Sequence, residues 1–569
     1  MTVPEGIPEL ESVRGVWSRA LERGINNDDD FFDLGGASVL ALRIVKELRE
    51  QGVPAEVLDV FDYPRFAEFA AHVLALPRTS VMARPGGPTT TDPPGEAAAR
   101  FRDGTTPGPA DGHAVRTVRA SLMQEQMLLV KDDPEQAAPL VINAAFRLRG
   151  SLDKSALHLA LLDVQQRHAL LRSTFTVSPD GRAHMHVGAA APLRLEVLER
   201  QRSDAEEEMT DDSEGLAVTE VTRRPFDRTA GPLVRCTAVV LGPEEHVLVL
   251  VFDHLIADAT SIKVLLGELS VAYAARAAGR DPAWTALTRD FPEWAAEQRT
   301  ELSEHGAYQV AEDPILAYWA AALGPDPKVL SAPLPGMVDV DAKSPAADVV
   351  LEVSSTATAR LKERAASTGA TPFTLLLAGL AATYQRQTGR DRVCVSTSVA
   401  NRGSTDDRLV GPLAHDVYLP ISLAEATRFE DVLDIIRRTV SGALRYSAVP
   451  APILWDELWP GSADLPLVLP GLYLGLYEAP AKDFGLTGVQ VEPAPITSTS
   501  AMRGLDISVV ERRGHLIFSL TYLKGSHSVL ALEELVRSTV AIALGSDVVV
   551  TGGRVDIPGD APALSATRR

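Results

Sequence analysis

The chain has 569 residues, of which 45% are hydrophobic and 23% charged, the balance of an ordinary globular protein. Its net charge of −21 argues against nucleic acid as the main partner, because phosphate binding needs a basic face. Two cysteines, Cys236 and Cys394, supply neither a disulfide framework nor a cysteine-built metal site. No apolar run approaches the ~18 residues of a membrane span and no basic leader is visible, so we expect a cytoplasmic protein without a membrane partner.

The first 76 residues carry the apolar spacing of short helices. Apolar side chains recur close to every 3.6 residues over residues 8–23 and 38–50, and a short apolar turn follows at 57–61. Pro64 stands at the first turn of a last helix that runs to Leu74. This pattern predicts a small all-α helical bundle over residues 1–76.

Composition changes abruptly after this segment. Residues 77–114 contain the runs RPGGPTTTDPPG and DGTTPGPADG without apolar periodicity, which predicts a flexible linker. Residues 548–569 are again rich in Gly, Pro and Ala, and we expect a loose tail there.

The long segment between linker and tail alternates strand and helix patterns. It exceeds the usual size of one core, so we predict two α/β lobes, residues 115–290 and 291–547. At roughly 150 residues per domain the whole length allows three or four folding units. The predicted strands are 234–240, 247–252, 349–353, 393–399, 505–510 and 516–522; the predicted helices are 155–167, 262–277, 354–367, 372–385 and 531–544.

A first candidate site lies where a loop meets the second predicted helix. Gly35 and Gly36 allow a tight turn, and Ser38 follows at the helix start. Free amides and the helix dipole favour an anion at this place, so a serine hydroxyl there suits phosphodiester attachment. The same position also suits an N-cap serine with no further function, and the turn alone does not separate the two.

The surroundings of Ser38 favour the functional interpretation. The stretch FFDLGGASVLALRIVKELRE, with the later VFDYPRFAEFA, resembles the peptidyl carrier proteins of nonribosomal peptide synthetases over nearly all of residues 9–76. The resemblance implies that Ser38 carries a 4′-phosphopantetheine arm, donated from coenzyme A by a phosphopantetheinyl transferase. The polar residue that usually precedes this serine is Ala37 here, a departure that bears on partner recognition.

A second candidate site follows the apolar strand at 247–252. His254 stands at the mouth of this strand, and Asp258 comes four residues later, before a predicted helix. A histidine acts as base or hydrogen-bond donor near neutral pH, and an acidic neighbour orients it or pins the loop through an arginine. A lone histidine at a strand end is more often structural. Because no two histidines pair plausibly with a carboxylate, we predict no metal site.

The context again favours function. The large segment resembles the condensation domains of nonribosomal peptide synthetases, which share an α/β two-lobed fold with chloramphenicol acetyltransferase. The family signature His-His-x-x-x-Asp-Gly reads Asp253-His254-Leu-Ile-Ala-Asp258-Ala259. Flanking motifs occur in the family's order: Arg167-His168-Ala-Leu-Leu-Arg172-Ser-Thr-Phe175, Pro225-Phe226-Asp227, Gly231-Pro232-Leu233-Val-Arg235 and Asp290-Phe291-x-x-Trp294.

Three departures from the family pattern stand out. Asp253 replaces the first signature histidine, and Ala259 replaces the closing glycine. The later motif, usually glycine, apolar residues and then asparagine-threonine, reads Val-Gly-Pro-Leu-Ala-His415-Asp416. An aspartate beside His254 could raise the proton affinity of the histidine or replace a lost hydrogen bond; it could equally mark unusual substrates or lost activity.

The resemblance implies acyl transfer without ATP or metal. An amine, or sometimes a hydroxyl, attacks a thioester held on a carrier arm; His254 would hydrogen-bond this nucleophile, take its proton or stabilise the tetrahedral intermediate. Asp258 would be structural and paired with an arginine. Arg172 and Arg402 are the candidate partners, with Asp253 as further support, although a surface role suits each arginine equally well.

Domain order predicts the partners. A carrier directly before a condensation domain usually holds the donor, so the Ser38 arm is expected to present an acyl or aminoacyl thioester to His254. No adenylation domain fits in the chain, so we expect a stand-alone adenylation enzyme to load the donor in trans. The acceptor is then a separate carrier protein, a free amine or a free alcohol.

Several functions stay open from the sequence. The leading hypothesis is amide formation in natural-product biosynthesis, and ester formation is a close variant. A catalytically degenerate domain that recruits another enzyme is the non-catalytic alternative, kept open by Asp253 and Ala259. A free coenzyme A-dependent acyltransferase shares the fold but leaves the carrier unexplained.

Overall fold

The fold is described from a computed structural model. It describes residues 7–36, 38–76, 115–129, 140–179, 181–199, 212–304, 313–331, 334, 336–338, 340, 344–403, 405–459, 471–477, 484–494, 501, 504–545, 549–551 and 554–556. The predicted linker 77–114 lies outside these residues, as does most of the predicted tail.

The N-terminal segment is a helical bundle, as its apolar spacing predicts. Its helices are α1 (Ile7–Leu21), α2 (Ser38–Glu50), α3 (Val57–Asp62) and α4 (Phe66–Ala75). The indole of Trp17 is fully buried at the centre, with ring centroids 5.7 Å from Phe31, 5.5 Å from Phe66 and 5.2 Å from Phe69. Aromatic side chains from α1, from α4 and from the loop before α2 therefore hold this small core together.

The first lobe is built around a mixed sheet. Within the described residues its strand order is Val489–Pro493, Val141–Gly150, Glu245–Asp253, Val234–Gly242 and Leu195–Glu199, and a smaller sheet of order Arg116–Arg119, Ala183–Val187 and Ser173–Val177 lies beside it. Its helices and strands up to residue 304 are β1 (Arg116–Arg119), α5 (Leu122–Leu129), β2 (Val141–Gly150), α6 (Lys154–Arg167), β3 (Ser173–Val177), β4 (Ala183–Val187), β5 (Leu195–Glu199), α7 (Asp212–Arg223), β6 (Val234–Gly242), β7 (Glu245–Asp253), α8 (Ala259–Ala277) and α9 (Phe291–Glu304).

The second lobe contains the larger sheet. Its strand order in the described part of the chain is His415–Ser422, Arg392–Val399, Leu472–Tyr477, Leu505–Arg512, His515–Leu523, Ala346–Val353, Arg554–Asp556 and Val549–Thr551. The remaining helices and strands are α10 (Pro314–Leu323), β8 (Ala346–Val353), α11 (Ser355–Ser367), α12 (Pro372–Thr388), β9 (Arg392–Val399), β10 (His415–Ser422), α13 (Phe429–Arg445), α14 (Ala451–Leu458), β11 (Leu472–Tyr477), β12 (Val489–Pro493), β13 (Leu505–Arg512), β14 (His515–Leu523), α15 (Val529–Leu544), β15 (Val549–Thr551) and β16 (Arg554–Asp556).

The first lobe includes elements from beyond the predicted division at residues 290 and 291. Strand β12 leaves the second half of the chain and pairs antiparallel with β2 of the first lobe. Phe291 and Trp294 of α9 also belong to the first lobe's apolar cluster, as do Leu409 and Leu413. A single cut in the sequence therefore cannot separate the lobes, because apolar periodicity marks elements but not which sheet they join.

The predicted tail also needs a correction. Val549–Thr551 and Arg554–Asp556 form strands β15 and β16, which pair antiparallel with each other. Strand β16 then pairs parallel with β8 at the edge of the large sheet. The valine run before Gly552-Gly553, with Val555 after it, is a hairpin signal that the Gly and Ala composition of the tail obscures.

Among the described helices, none alone is long and apolar enough to cross a membrane. Helices α11 and α12 reach that length only together, across a bend of 99°. Helix α12 begins at the Thr371 N-cap, whose side chain accepts a hydrogen bond from Thr374 N, and its residues 374–381 are all buried in the second lobe.

Candidate active site

The turn before Ser38 has the geometry that its glycines predict. Gly35 adopts a φ of +84°, in the left-handed region that favours glycine. At Gly36 a Cβ would lie 2.4 Å from the Phe31 carbonyl oxygen and 2.5 Å from the Phe31 ring, so no larger residue fits there. The two glycines thus let the loop turn tightly and pack on Phe31, and α2 begins at Ser38.

This helix start fits the phosphate of a 4′-phosphopantetheine arm. Ser38 is the first residue of α2, where the backbone amides of the first turn lack helical partners. No acidic residue stands in the first turn of α2, so no charge within that turn opposes an anion. Ala37 lies outside the described residues, which leaves its predicted effect on partner recognition a prediction.

His254 follows the central strand of the first lobe. Strand β7 lies between β2 and β6, and the backbone N–H of His254 donates to the Leu140 carbonyl at 2.9 Å, one step past the end of the strand. The imidazole is half-buried, and its Nδ1 is buried without a hydrogen-bond partner. The end of this strand thus holds an imidazole whose Nδ1 makes no hydrogen bond to the protein within the described structure.

Asp258, four residues after His254, is the centre of a polar network. As the N-cap of α8, its Oδ1 accepts from the backbone N–H of Ser261 at 2.8 Å, from the Ser261 hydroxyl at 2.7 Å and from Arg402 Nη2 at 2.7 Å. Its Oδ2 accepts from the backbone N–H groups of Leu413 and Ala414, each at 3.1 Å. A carboxylate so fully bonded joins α8 to the loop between β9 and β10.

Of the two candidate arginines, the structure brings only Arg402 to Asp258. The side chains of Arg402 and Asp258 are 7% and 2% exposed, so their ion pair is buried. Arg402 Nη1 also donates to the Leu409 carbonyl at 2.6 Å, which closes the loop on itself. Arg172 instead ends the short turn after α6, and its buried Nε has no hydrogen-bond partner in the described structure.

The loop that carries Arg402 is shaped by two unusual positions. Asn401 adopts a φ of 48°, a left-handed conformation that asparagine tolerates better than most residues. At Gly411 a Cβ would lie 2.0 Å from the Phe291 ring, so only glycine allows the loop to pack there. The Ser261 hydroxyl oxygen lies 2.9 Å from the Gly411 carbonyl oxygen and accepts from the Gly411 N–H at 3.0 Å.

The Asp253 carboxylate is bonded to groups other than the His254 side chain. Its Oδ2 accepts from Arg228 Nε at 2.9 Å, and its Oδ1 accepts from the Leu255 backbone N–H at 3.0 Å. The substituted aspartate thus acquires its own cation and a backbone donor within the first lobe. Ala259 is the first residue of α8 and lies outside the left-handed region, so its backbone does not require glycine.

The two native thiols take no part in this network. Cys236 and Cys394 are buried, at 0% and 2% exposure. Burial raises the pKa of Cys394 to about 12 and raises that of Cys236 further above its ordinary value. Neither side chain is therefore a thiolate nucleophile near neutral pH.

His415, which stands at the family's asparagine position, predicts a pH dependence of stability. It is 3% exposed, and its Nε2 donates to the Ser447 carbonyl at 2.8 Å. Burial lowers the pKa of His415, against the opposing effects of that carbonyl and of Asp416, while Lys46 of α2 lowers it further. The unfolded chain therefore binds more protons than the folded one below His415's ordinary pKa of about 6.5, so stability is lost as pH falls through that value.

We expect His415→Asn to weaken this pH dependence. Between about pH 7.5 and pH 5.5 the thermal midpoint of the wild type should fall more than that of the variant. His184→Asn, at a half-buried histidine of β4, is the matched control. Equal falls for wild type and His415→Asn would contradict the assignment to His415.

Sequence reasoning missed much of what supports the site. Arg228, the partner of Asp253, lies 25 residues before it. The Leu413 and Ala414 donors to Asp258 are backbone groups, which no side-chain motif reveals. Ser261 stands inside the signature region, and its N-cap spacing from Asp258 was the one available signal.

Comparison with known proteins agrees with this geometry. Residues 115–540 match the condensation domain family, and residues 11–73 match the phosphopantetheine attachment site family. Phosphinothricin tripeptide synthetase PhsB of Streptomyces viridochromogenes is 30% identical over 481 residues, 83% of this chain and 37% of that protein. Beauvericin nonribosomal cyclodepsipeptide synthetase of Beauveria bassiana is 29% identical over 448 residues, 76% of this chain and 13% of that protein. The chain thus spans well under two thirds of the length of these relatives.

Solved structures share the two-lobed fold. The X-domain of the complex of the X-domain and OxyB from teicoplanin biosynthesis superposes with a TM-score of 0.63 at 25% identity, over 78% of this chain and 96% of that chain. The first condensation domain of the CDA synthetase superposes with a TM-score of 0.58 at 19% identity, over 75% of this chain and 97% of that chain. This chain belongs to the condensation domain family of nonribosomal peptide synthetases, with a phosphopantetheine-attachment carrier domain before the condensation domain.

Proposed function

We propose that the condensation domain transfers an acyl or aminoacyl group from the carrier domain to an acceptor amine, forming an amide in natural-product biosynthesis. The observation that carries this proposal is the half-buried imidazole of His254, with its buried Nδ1 unpartnered, held beside the Asp258 network. That arrangement leaves the ring available for proton transfer while both oxygens of the Asp258 carboxylate are hydrogen-bonded.

Ser38 is the proposed attachment point of the 4′-phosphopantetheine arm, at the start of α2. When bound, the arm supplies a thiol that holds the donor acyl group as a thioester. The helix start holds the phosphate through the dipole and amides of α2. A phosphopantetheinyl transferase is the partner that this site requires.

His254 is the proposed proton-transfer residue. It accepts the proton that the attacking amine loses as the carbon–nitrogen bond forms, and returns it to the departing sulfur as the carbon–sulfur bond breaks. Asp258 and Arg402 act indirectly, as positioning residues. Their ion pair fixes the start of α8 and the loop between β9 and β10, so that the His254 segment keeps one geometry. Arg228 holds Asp253, which keeps that carboxylate paired.

The proposed transfer reaction requires a loaded donor and an acceptor. A stand-alone adenylation enzyme loads the donor in trans, and the acceptor is presented by a separate carrier protein or arrives free. The alcohol of an ester-forming reaction is the close alternative. It is favoured by the similarity to a synthetase whose name includes cyclodepsipeptide.

The test begins with attachment of the arm. Incubation with coenzyme A and a phosphopantetheinyl transferase should raise the intact mass of the wild type by one arm and leave Ser38→Ala unchanged. The loaded protein is then offered a panel of acyl donors with amines and alcohols, and products are identified by mass spectrometry. A mass gain that survives Ser38→Ala would contradict the attachment site, and no product from any pair would contradict the transfer.

A recruitment platform is the second candidate function. It is favoured by two observations: Asp253 in place of the first signature histidine, and similarity at 25% identity to an X-domain solved in complex with OxyB. In that case His254 takes part in no reaction. The two candidates therefore differ in what the loss of His254 does to product formation.

A further inference from the structure

The carrier domain contacts the second lobe through complementary charges at two places. Arg43 of α2 forms an ion pair with Asp407 at 2.7 Å. Glu56, the N-cap of α3, forms an ion pair with Arg445 at the end of α13. The cation stands on the carrier in one pair and on the condensation domain in the other. Two pairs of opposite polarity fix the orientation of the carrier as well as its contact.

Two glycines of the condensation domain lie next to the carrier, within ordinary van der Waals range of a Cβ. At Gly369 a Cβ would lie 3.5 Å from the backbone carbonyl oxygen of Phe61. At Gly403 a Cβ would lie 3.7 Å from Glu50 Oε1 and 3.8 Å from Lys46 Nζ. The contact thus runs along α2 from Arg43 to Glu50 and includes the end of α3.

The loop that receives Arg43 is the loop that holds Asp258. Asp407 follows Asp406, which is itself buried and accepts from Arg289 Nε at 2.9 Å and from the Gly403 backbone N–H at 2.8 Å. Arg402, at the other end of this turn, reaches Asp258. One short polar segment therefore connects the carrier surface to the signature motif of His254.

The ion pairs between the two domains are of the kind that forms and breaks readily. The Arg43 and Asp407 side chains are 34% and 53% exposed, and those of Arg445 and Glu56 are 46% and 37% exposed. Exposed pairs of this kind are worth little individually. A carrier that must also reach a loading enzyme requires such a reversible contact, in contrast to the buried Arg402–Asp258 pair beside it.

We propose that the α2–α3 face of the carrier, seated on the loop 402–407 and on α13, is the position from which this chain's own carrier delivers its acyl group to the His254 site. The loop 402–411 then positions both the docked carrier, through Asp407, and Asp258, through Arg402. This inference rests on the proposed function, because it assigns the donor role to the Ser38 arm.

The kinetic test uses full-length protein loaded on Ser38 and measured in a single turnover. Arg43→Glu should slow transfer about fivefold to tenfold, because it places like charges at the contact. Arg43→Glu combined with Asp407→Arg should restore the rate to within about twofold of the wild type. Arg23→Glu is the matched control: this exposed arginine, at the end of α1, forms no ion pair with the condensation domain in the described structure, and its rate should stay unchanged.

A second measurement does not depend on activity. Arg43→Cys with Asp407→Cys should react with a short bismaleimide faster than Arg23→Cys with Asp407→Cys, since the native cysteines are buried. Cleavage at a protease site placed within residues 77–114 then shows whether the two fragments remain joined. If Arg43→Cys with Asp407→Cys cross-links preferentially but no protein transfers the acyl group, the proposed function alone is contradicted. Transfer that is insensitive to Arg43→Glu, without preferential cross-linking, would overturn the docking surface alone.

Discussion

Arg402→Ala is expected to destabilise the condensation domain by about 3–5 kcal/mol, the usual cost of removing one partner of a buried ion pair. Asp258 is 2% exposed, so the variant leaves its carboxylate buried and without its cation. The Leu409 carbonyl loses its Arg402 donor at the same time. The shift should appear as a lower urea midpoint of unfolding, with slower acyl transfer because the loop no longer holds its place.

Arg408→Ala is the matched control for this experiment. Arg408 lies on the same loop and is exposed, so its loss should change stability by no more than about 0.5 kcal/mol. Arg402→Lys should give an intermediate loss, since an ammonium keeps the charge but cannot reach every acceptor of the guanidinium. Asp258→Asn in the Arg402→Ala background should recover part of the stability. Equal effects of Arg402→Ala and Arg408→Ala would contradict the central role of this ion pair.

His254→Ala is expected to slow acyl transfer by about 10²- to 10⁴-fold, the range that a positioned proton-transfer group contributes. The Ser38 arm should be fitted and loaded as in the wild type, because α2 is a separate element. Stability should change little, since no hydrogen-bond partner of Nδ1 is left unsatisfied. The measurement is single-turnover product formation at equal loading.

His184→Ala serves as the control for the loss of an imidazole elsewhere in the first lobe. Added imidazole should restore part of the rate to His254→Ala and leave His184→Ala unaffected. Product formation at the wild-type rate in His254→Ala would remove the catalytic hypothesis and leave the recruitment platform. The same result would leave the attachment of the arm to Ser38 untouched.

Local elements of the fold were predictable from the sequence. Apolar periodicity predicts α2, α6 and α12 within a few residues, and the continuous apolar run predicts β7, because both signals depend on neighbouring residues alone. The resemblance to two known families also predicts the order of carrier and condensation domain. These predictions agree with the structure because they need no knowledge of long-range pairing.

The partners within the site depend on tertiary structure. Arg402 lies 144 residues after Asp258, and the sequence offered Arg172 as an equal candidate. Asp253 looked like a charge beside His254, whereas the fold supplies Arg228 to bind it. In each case a residue type was predictable and its partner was not, because strand order brings together segments that no local pattern connects.

The position of β12 in the sheet of the first lobe has a consequence for the design of chimeric proteins. Because β12 is hydrogen-bonded to β2, a chimera joined between residues 290 and 291 would pair an N-terminal half with a foreign edge strand. The Asp258 network would likewise meet a loop of foreign sequence. The smallest unit that can be transplanted without dividing a sheet therefore runs from β1 to β16, and substrate choice is better altered by substitutions within that unit than by exchange of halves.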